Sequence, residues 1–436
     1  MRQIFLIFVY NQRMNTKTIE HYFDRLFPIC RSITGNGVRE SLKILQEIIP
    51  LKIHEIPTGK KVFDWEIPKE WNIRNAYIIT PDGKKICDFK KNNLHIVSYS
   101  VPIKKKLSFE ELNSHLHSIP KMPDAIPYLT SYYQENWGFC ITHNEYKKLP
   151  KKGIYEVVID TELKNGNLTY GDLVLKGETE EEILFSTYIC HPSMANNELS
   201  GPLVAAFLYQ KISQIKKRKY SYRFVFAPET IGIIAYLHAF GKLMKQRTQA
   251  GFVLTCCGDD GAFTYKMSKH ENSLADRVAK HILKYSDVPF SVVPFSVGGS
   301  DERQYCSSGF NLPVGSLTRS MYKKYKEYHT SLDNKNFISF EAMEKTIDAY
   351  FSFAKALELN DNYKNKISFC EPQLGKRGLY PHSADAQKRY DETIKLLHFL
   401  SWADGKLDLI EIAEKQNACV LDFENIVEQC KNAKLI

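Results

Sequence analysis

The sequence has no apolar run near the ~18 residues that a helix needs to cross a bilayer. That excludes a helical membrane protein. The most apolar short stretch, residues 4–10, is preceded only by Arg2 and is followed by no small-residue cleavage site, so a signal peptide is not expected. Met14 offers a second start, which would make residues 1–13 an extension. There is no Cys-x-x-Cys pair. The ten cysteines (30, 87, 140, 190, 256, 257, 306, 370, 419 and 430) are scattered, and read as reduced, mostly buried thiols of a cytoplasmic protein. No strong charge excess is present either. Lys and Arg number 59 against 50 Asp and Glu, a net +9 that falls short of a dedicated nucleic-acid binder. The densest basic run, Lys216-Lys217-Arg218-Lys219, reads as a solvated loop. Internal repeats and low-complexity tracts are absent as well.

What is present is ordinary globular material: 436 residues, 43% hydrophobic and 25% charged, enough for two or three domains. Residues 18–30 and 37–49 carry helical apolar spacing, broken by Thr34-Gly35-Asn36-Gly37. From 54 to 176, short β-branched and aromatic runs alternate with turn signals such as Pro81-Asp82-Gly83 and Lys164-Asn165-Gly166. From 182 onward, strand and helix patterns alternate. Strands are expected at 183–189, 222–227, 251–257 and 312–317, and helices at 201–214, 231–245, 272–285 and 339–358. This predicts an α/β fold, a mostly parallel mixed sheet flanked by helices, made from residues 1–53 and 177–360. The region 54–176 would be an inserted, mainly-β domain. Residues 361–387 read as a linker, and 388–436, with three short helical patterns, as a helix-turn-helix or winged-helix module.

Ligands of open α/β sheets sit beyond the carboxyl ends of the strands. Four such ends run into Cys190-His191-Pro192, Pro228-Glu229-Thr230, Gly258-Asp259-Asp260 and, after a loop, Tyr328-His329-Thr330. Two imidazoles with carboxylates suit Zn²⁺. A further Glu suits a general base acting on metal-bound water. Each residue alone also has a plain reading. A histidine can be a hydrogen-bonded structural residue, Asp259-Asp260-Gly261 a turn, and Glu229 a favourable charge at a helix start.

Longer motifs carry a resemblance. Residues 31–40 (Arg31-Ser32-Ile33-Thr34-Gly35-Asn36-Gly37-Val38-Arg39-Glu40), the run from Tyr188 through His191 and Asn197 to Pro202, Pro228-Glu229-Thr230-Ile231-Gly232, Gly299-Ser300-Asp301-Glu302-Arg303-Gln304-Tyr305 and Glu327-Tyr328-His329-Thr330-Ser331-Leu332-Asp333 resemble the zinc exopeptidase clan. Within it they resemble a bacterial aminopeptidase-like family with an inserted β domain and a C-terminal winged helix, associated with polysaccharide-biosynthesis loci. The resemblance implies metal ligands at His191, His329 and Asp259 or Asp260, and a general base at Glu229. It also shows departures. Asn197 stands where the clan has its bridging Asp, Thr230 where it has a second Glu, and Ser193 where an Asp follows the first His. An amide bridges cations poorly and a Thr hydroxyl is a weak zinc ligand. One zinc ion is therefore expected rather than two, with Glu198 a substitute carboxylate. Asp301, Arg303 and Tyr328 are expected to contact substrate, Arg303 through a substrate carboxylate.

The expected activity is metal-dependent hydrolysis of an amide in a peptide, aminoacyl or small amide substrate. The rivals are a catalytically degenerate binding protein on a peptidase fold and a DNA-binding regulator. The last third of the tail, 421–431, is acidic at Asp422, Glu424 and Glu428, which disfavours nucleic acid and favours a protein partner or self-association through the C-terminal module.

Overall fold

The computed structural model describes residues 16–380 and 385–436. The proposed extension, the apolar stretch at 4–10 and Pro381 in the linker lie outside the described residues.

An eight-stranded mixed sheet organises the chain. Its strands are β1 (Lys52–Pro57), β2 (Asn167–Leu175), β3 (Glu182–Tyr188), β4 (Ser221–Ala227), β5 (Thr248–Leu254), β6 (Phe263–Lys266), β7 (Phe290–Val293) and β8 (Val314–Thr318), in spatial order β1-β2-β4-β3-β5-β8-β6-β7. The strands β4, β3, β5 and β8 run parallel, so their carboxyl ends share one edge. Every residue of β3 and β4 is buried, the signature of strands covered on both faces. Phe185 sits opposite Phe224 and Phe252 in the register and stacks on both rings, at 5.4 and 5.8 Å. Strands β6 and β7, which extend the sheet beyond β8, were not foreseen. They are only four residues each, and β6 pairs antiparallel with β8.

Helices close both faces. One face holds α1 (Thr16–Leu26), α2 (Asn36–Leu45), α3 (Ser200–Ser213), α5 (Leu274–Lys284) and α6 (Phe340–Leu359), packed into one large core. The other is covered by α4 (Ile231–Arg247), through Ile231, Ile234 and Leu237. Caps mark the starts: Ser273 and Asp276 form a reciprocal capping box on α5, and Ser339 caps α6 through the Ala342 N–H. The chain leaves β3 for one face and β4 for the other, which makes the rim beyond β3 a topological switch point.

The chain between β1 and β2 forms its own four-stranded antiparallel sheet around Glu70–Ile79 and Tyr155–Lys164, with a small core including Ile78, Phe139 and Val157. Residues 54–57 and 167–175, at the two ends of the segment read as an insertion, hydrogen-bond into the large sheet.

At the C-terminus, α7 (Ala386–Trp402), α8 (Leu409–Lys415) and α9 (Glu424–Asn432) form a winged-helix domain. Its apolar residues Phe399, Ile410, Val420 and Phe423 join the same core as α3 and α6. His281 of α5 accepts the Val420 N–H at 2.9 Å, and Arg277 pairs with Asp408. No helix among the described residues is long and apolar enough to cross a membrane.

Candidate active site

The site begins where β3 stops. His191 follows the strand and is buried. Its backbone N–H and its ring Nδ1–H both donate to Glu198 Oε2, at 3.0 Å each. A carboxylate only accepts, so in the neutral ring this contact places the proton on Nδ1 and leaves the lone pair on Nε2. Glu198 is itself buried. Its other oxygen lies 3.3 Å from Arg31 Nε, which also donates to the His191 carbonyl at 3.0 Å. Burial opposes charge on His191, but the Glu198 hydrogen bond and charge outweigh it and hold the imidazole pKa up.

The loop between His191 and α3 is a single π-helical turn, Ala195–Leu199. Such turns are uncommon and concentrate at functional sites. Asp333 pins it by accepting the Asn196 and Asn197 N–H groups at 2.6 and 2.9 Å. Burial pushes the Asp333 carboxyl up to about 6.

His329 reaches the same rim from the loop after β8. The His191 and His329 ring centroids are 5.5 Å apart. Tyr128, delivered by the inserted domain, presents its ring edge-on to both, at 5.2 and 5.1 Å, and its N–H donates to the His329 carbonyl at 2.8 Å. Tyr328 stacks flat on His329 at 4.0 Å, so its ring supports the imidazole. Burial first, then His191, depress the His329 pKa to about 3.

Glu229 comes from the end of β4. Its Oε2 is 3.7 Å from His191 Nε2, on the ring side opposite Glu198. Its N–H donates to the Cys190 thiol at 3.3 Å. Burial raises the Glu229 pKa, against the lowering effects of His191 and Arg303. Asp301, expected to face substrate, is instead fully buried behind Thr230, whose N–H it accepts at 2.8 Å. Burial and the Glu229 charge push its carboxyl well up. Arg303, expected to hold a substrate carboxylate, donates to Thr230 Oγ1 at 2.8 Å. At this rim Ser193, Thr230, Cys256 and His329 have positive φ, 46°, 64°, 49° and 54°.

The structure separates the remaining expected ligands. Asp259 is buried, and its carboxylate accepts from Asn196 Nδ2 (2.8 Å), the Gly261 N–H (2.8 Å) and Ser320 Oγ (2.6 Å), so it staples loops. Asp260 is exposed. Glu198 is engaged behind His191. Among the described residues, Cys190, His191 and Glu198 bring possible ligand atoms within 4.8 Å of one another. A cation fits poorly between them. Arg31 already neutralises Glu198, Nδ1 carries its proton there, and burial with the Glu198 and Glu229 charges keeps Cys190 a thiol. The opposite side of His191 fits better. There the His329 ring lies beside His191, and Glu229 Oε2 stands 3.7 Å from Nε2. Asn197, at the clan's bridging position, keeps a buried Oδ1 with no partner. One imidazole held by a carboxylate behind it, a second imidazole beside it and a carboxylate nearby are donors of the kind that suit zinc.

The fold is that of the zinc aminopeptidases. The Bacillus subtilis zinc aminopeptidase superposes with a TM-score of 0.57 at 12% identity, over 78% of this chain and 93% of that one. An aminopeptidase from Aneurinibacillus gives 0.52 at 12%, over 79% and 94%. At that identity the likeness shows the fold alone. Residues 20–360 match the family described as "Domain of unknown function (DUF4910)", and 361–436 match a winged helix-turn-helix family. A Clostridium acetobutylicum protein provisionally described as a polysaccharide biosynthesis protein with an aminopeptidase-like domain is 45% identical over 419 residues, 96% of this chain and 95% of that protein. The crystal structure of a candidate peptidase from Clostridium acetobutylicum superposes with a TM-score of 0.90 at 43% identity, over 96% of each chain. The chain belongs to this bacterial family, an aminopeptidase-like domain carrying a C-terminal winged helix.

Three contributors escaped the sequence reading of the site: Arg31, Tyr128 and Asp333. Arg31 and Asp333 lie inside motifs already singled out, at 31–40 and 327–333, which was the available signal. Tyr128 lies in a texture of many aromatics, where no local pattern marks one ring.

Proposed function

We propose that the protein is a single-metal, zinc-dependent aminopeptidase-like hydrolase. His191 Nε2 and His329 would hold the ion, with Asn197 Oδ1 and Glu229 beside it. The ion, when bound, supplies Lewis-acid polarisation of the scissile carbonyl and of a water molecule. Glu229 takes the proton from the attacking water and hands it to the leaving amine. Its raised pKa brings it toward the range in which one carboxyl can serve as both base and acid. Glu198 and Arg31 fix the His191 tautomer, and Tyr128 and Tyr328 wall the imidazoles.

The observation that carries this reading is the polarity across His191, with Glu198 at Nδ1 and Glu229 at Nε2. The relative is described as a polysaccharide biosynthesis protein with an aminopeptidase-like domain, which supports an amide-bearing polysaccharide precursor as the proposed substrate class. The free, mostly buried cysteines fit a cytoplasmic setting. The test is release of amine from L-aminoacyl p-nitroanilides and from N-acyl amino sugars, with and without zinc, before and after Glu229→Gln. Undiminished hydrolysis in the variant removes Glu229 from the mechanism.

A second reading rests on Asn197 and Thr230, which replace two clan carboxylates: a binding protein on a retired peptidase scaffold. Tight stoichiometric zinc with turnover of any of these amides rejects it. The winged helix serves protein contact in this account. Glu424, Glu428 and Asp422 on and before α9 would repel phosphates, and Glu424 and Asp422 already pair with Lys355 and Lys395.

A further inference from the structure

Thr230, between β4 and α4, has φ 64° and ψ −79°. The Ile231 N–H donates to the Glu229 carbonyl, two residues back, at 2.8 Å. These are the angles and the hydrogen bond of a positive-φ γ-turn, a rare and strained conformation, and doubly unfavourable for a β-branched residue. A strained turn persists only where its surroundings over-determine it. Here two side chains from one segment do so. Asp301, fully buried, accepts the Thr230 N–H at 2.8 Å. Arg303 donates to the Thr230 hydroxyl at 2.8 Å. Neither contact touches Glu229 directly, yet both fix the residue next to it. The Glu229 carboxylate stands 3.7 Å from His191 Nε2.

We infer that Asp301 and Arg303 are positioning residues, which hold the Thr230 γ-turn in its strained form and thereby aim Glu229 at the face of His191 that the reaction uses. This rests on the reading of Glu229 as general base. Thr230 is then not a failed metal ligand. It is the pivot of a clamp, and its hydroxyl is there for Arg303 to grip.

The test uses the full chain, with crystal structures and kinetics of Asp301→Ala, Asp301→Asn and Thr230→Gly. Asp301→Ala is expected to open the turn: residue 230 returns to negative φ, the Ile231-to-Glu229 hydrogen bond is lost, and Glu229 moves off His191. Asp301→Asn retains an acceptor oxygen and is expected to keep the turn. Thr230→Gly adopts the positive φ without strain and keeps the Asp301 contact, so it should unfold at or above the wild-type temperature with the turn in place, while in Asp301→Ala kcat on an L-aminoacyl p-nitroanilide should fall by about 100-fold, the scale of a 1 Å misplacement, with KM little changed. Combined with Glu229→Gln, Asp301→Ala should slow the reaction no further. A γ-turn that survives unchanged in Asp301→Ala crystals overturns the proposal, as does an equal further loss in the Glu229→Gln background. If Glu229→Gln alone leaves hydrolysis intact, the base assignment falls, and the crystal structures still decide the clamp.

Discussion

Glu198→Gln and Glu229→Gln make opposite predictions for two carboxylates on either side of one imidazole. Glu198 is fully buried, accepts two hydrogen bonds from His191 and lies 3.3 Å from the buried Arg31. Its amide replacement leaves Arg31 without a counter-ion. Removing one partner of a buried pair costs about 3–5 kcal/mol. For a domain this large, at roughly 2 °C per kcal/mol, that is a fall of about 6–10 °C in Tm. Losing the hydrogen bond that orients His191 should also cost about 10–100-fold in metal affinity or activity. Glu229 behaves differently. Its folded pKa is raised above the unfolded value of 4.5 by burial. The unfolded state therefore gives up that proton at lower pH, and stability falls as pH rises from 4.5 through the raised value. At pH 7 the Gln variant escapes this cost, so it should be at least as stable as wild type while losing hydrolysis. Thermal unfolding at pH 7 and amide-hydrolysis assays read both. An unchanged Tm in Glu198→Gln, or an equal loss in Glu229→Gln, would refute the division of labour between the two carboxylates.

Other expectations follow from the same contacts. His329, with its pKa depressed to about 3 by burial and His191, makes the chelator-treated protein lose stability as pH falls from 6.5 toward 3, because the unfolded state binds that proton first; His329→Gln should flatten this limb in thermal scans. Glu70, on the inserted sheet, keeps a pKa of about 2 despite burial, because Arg39 of α2 and the Asn167 N–H hold it ionised; its contribution is present above 4.5 and lost toward pH 2, and Glu70→Gln should remove it from acid-unfolding curves. Truncation after residue 360 strips Phe399, Val420 and Phe423 from the main core, so the truncated chain should be insoluble or unfold at clearly lower temperature; a truncated chain as stable as the whole would disprove the fused core.

The parts of the fold that could be read from sequence are those governed by local pattern. The buried runs at 182–188 and 221–227 could be only covered strands, and the helices after them carried apolar spacing and caps. Because those strands run parallel, the residues after them had to share a rim, which is why His191, Glu229 and His329 meet. The same reasoning over-extended at Asp259. It follows a parallel strand too, but side-chain and backbone donors from Asn196, Gly261 and Ser320 have already claimed its oxygens, and no spacing rule reports that. Arg31 acts across 160 residues and Tyr128 arrives from a separate sheet. Asp301 and Arg303 were placed near the site by motif, but their target, a strained Thr230, exists only in the folded backbone.

The central claim is best tested by anomalous scattering at the zinc absorption edge from crystals grown with zinc. The account predicts one peak, within bonding distance of His191 Nε2 and the His329 ring and beside Glu229. No peak there, or a peak between Cys190 and Glu198 on the Nδ1 side of His191, would contradict it.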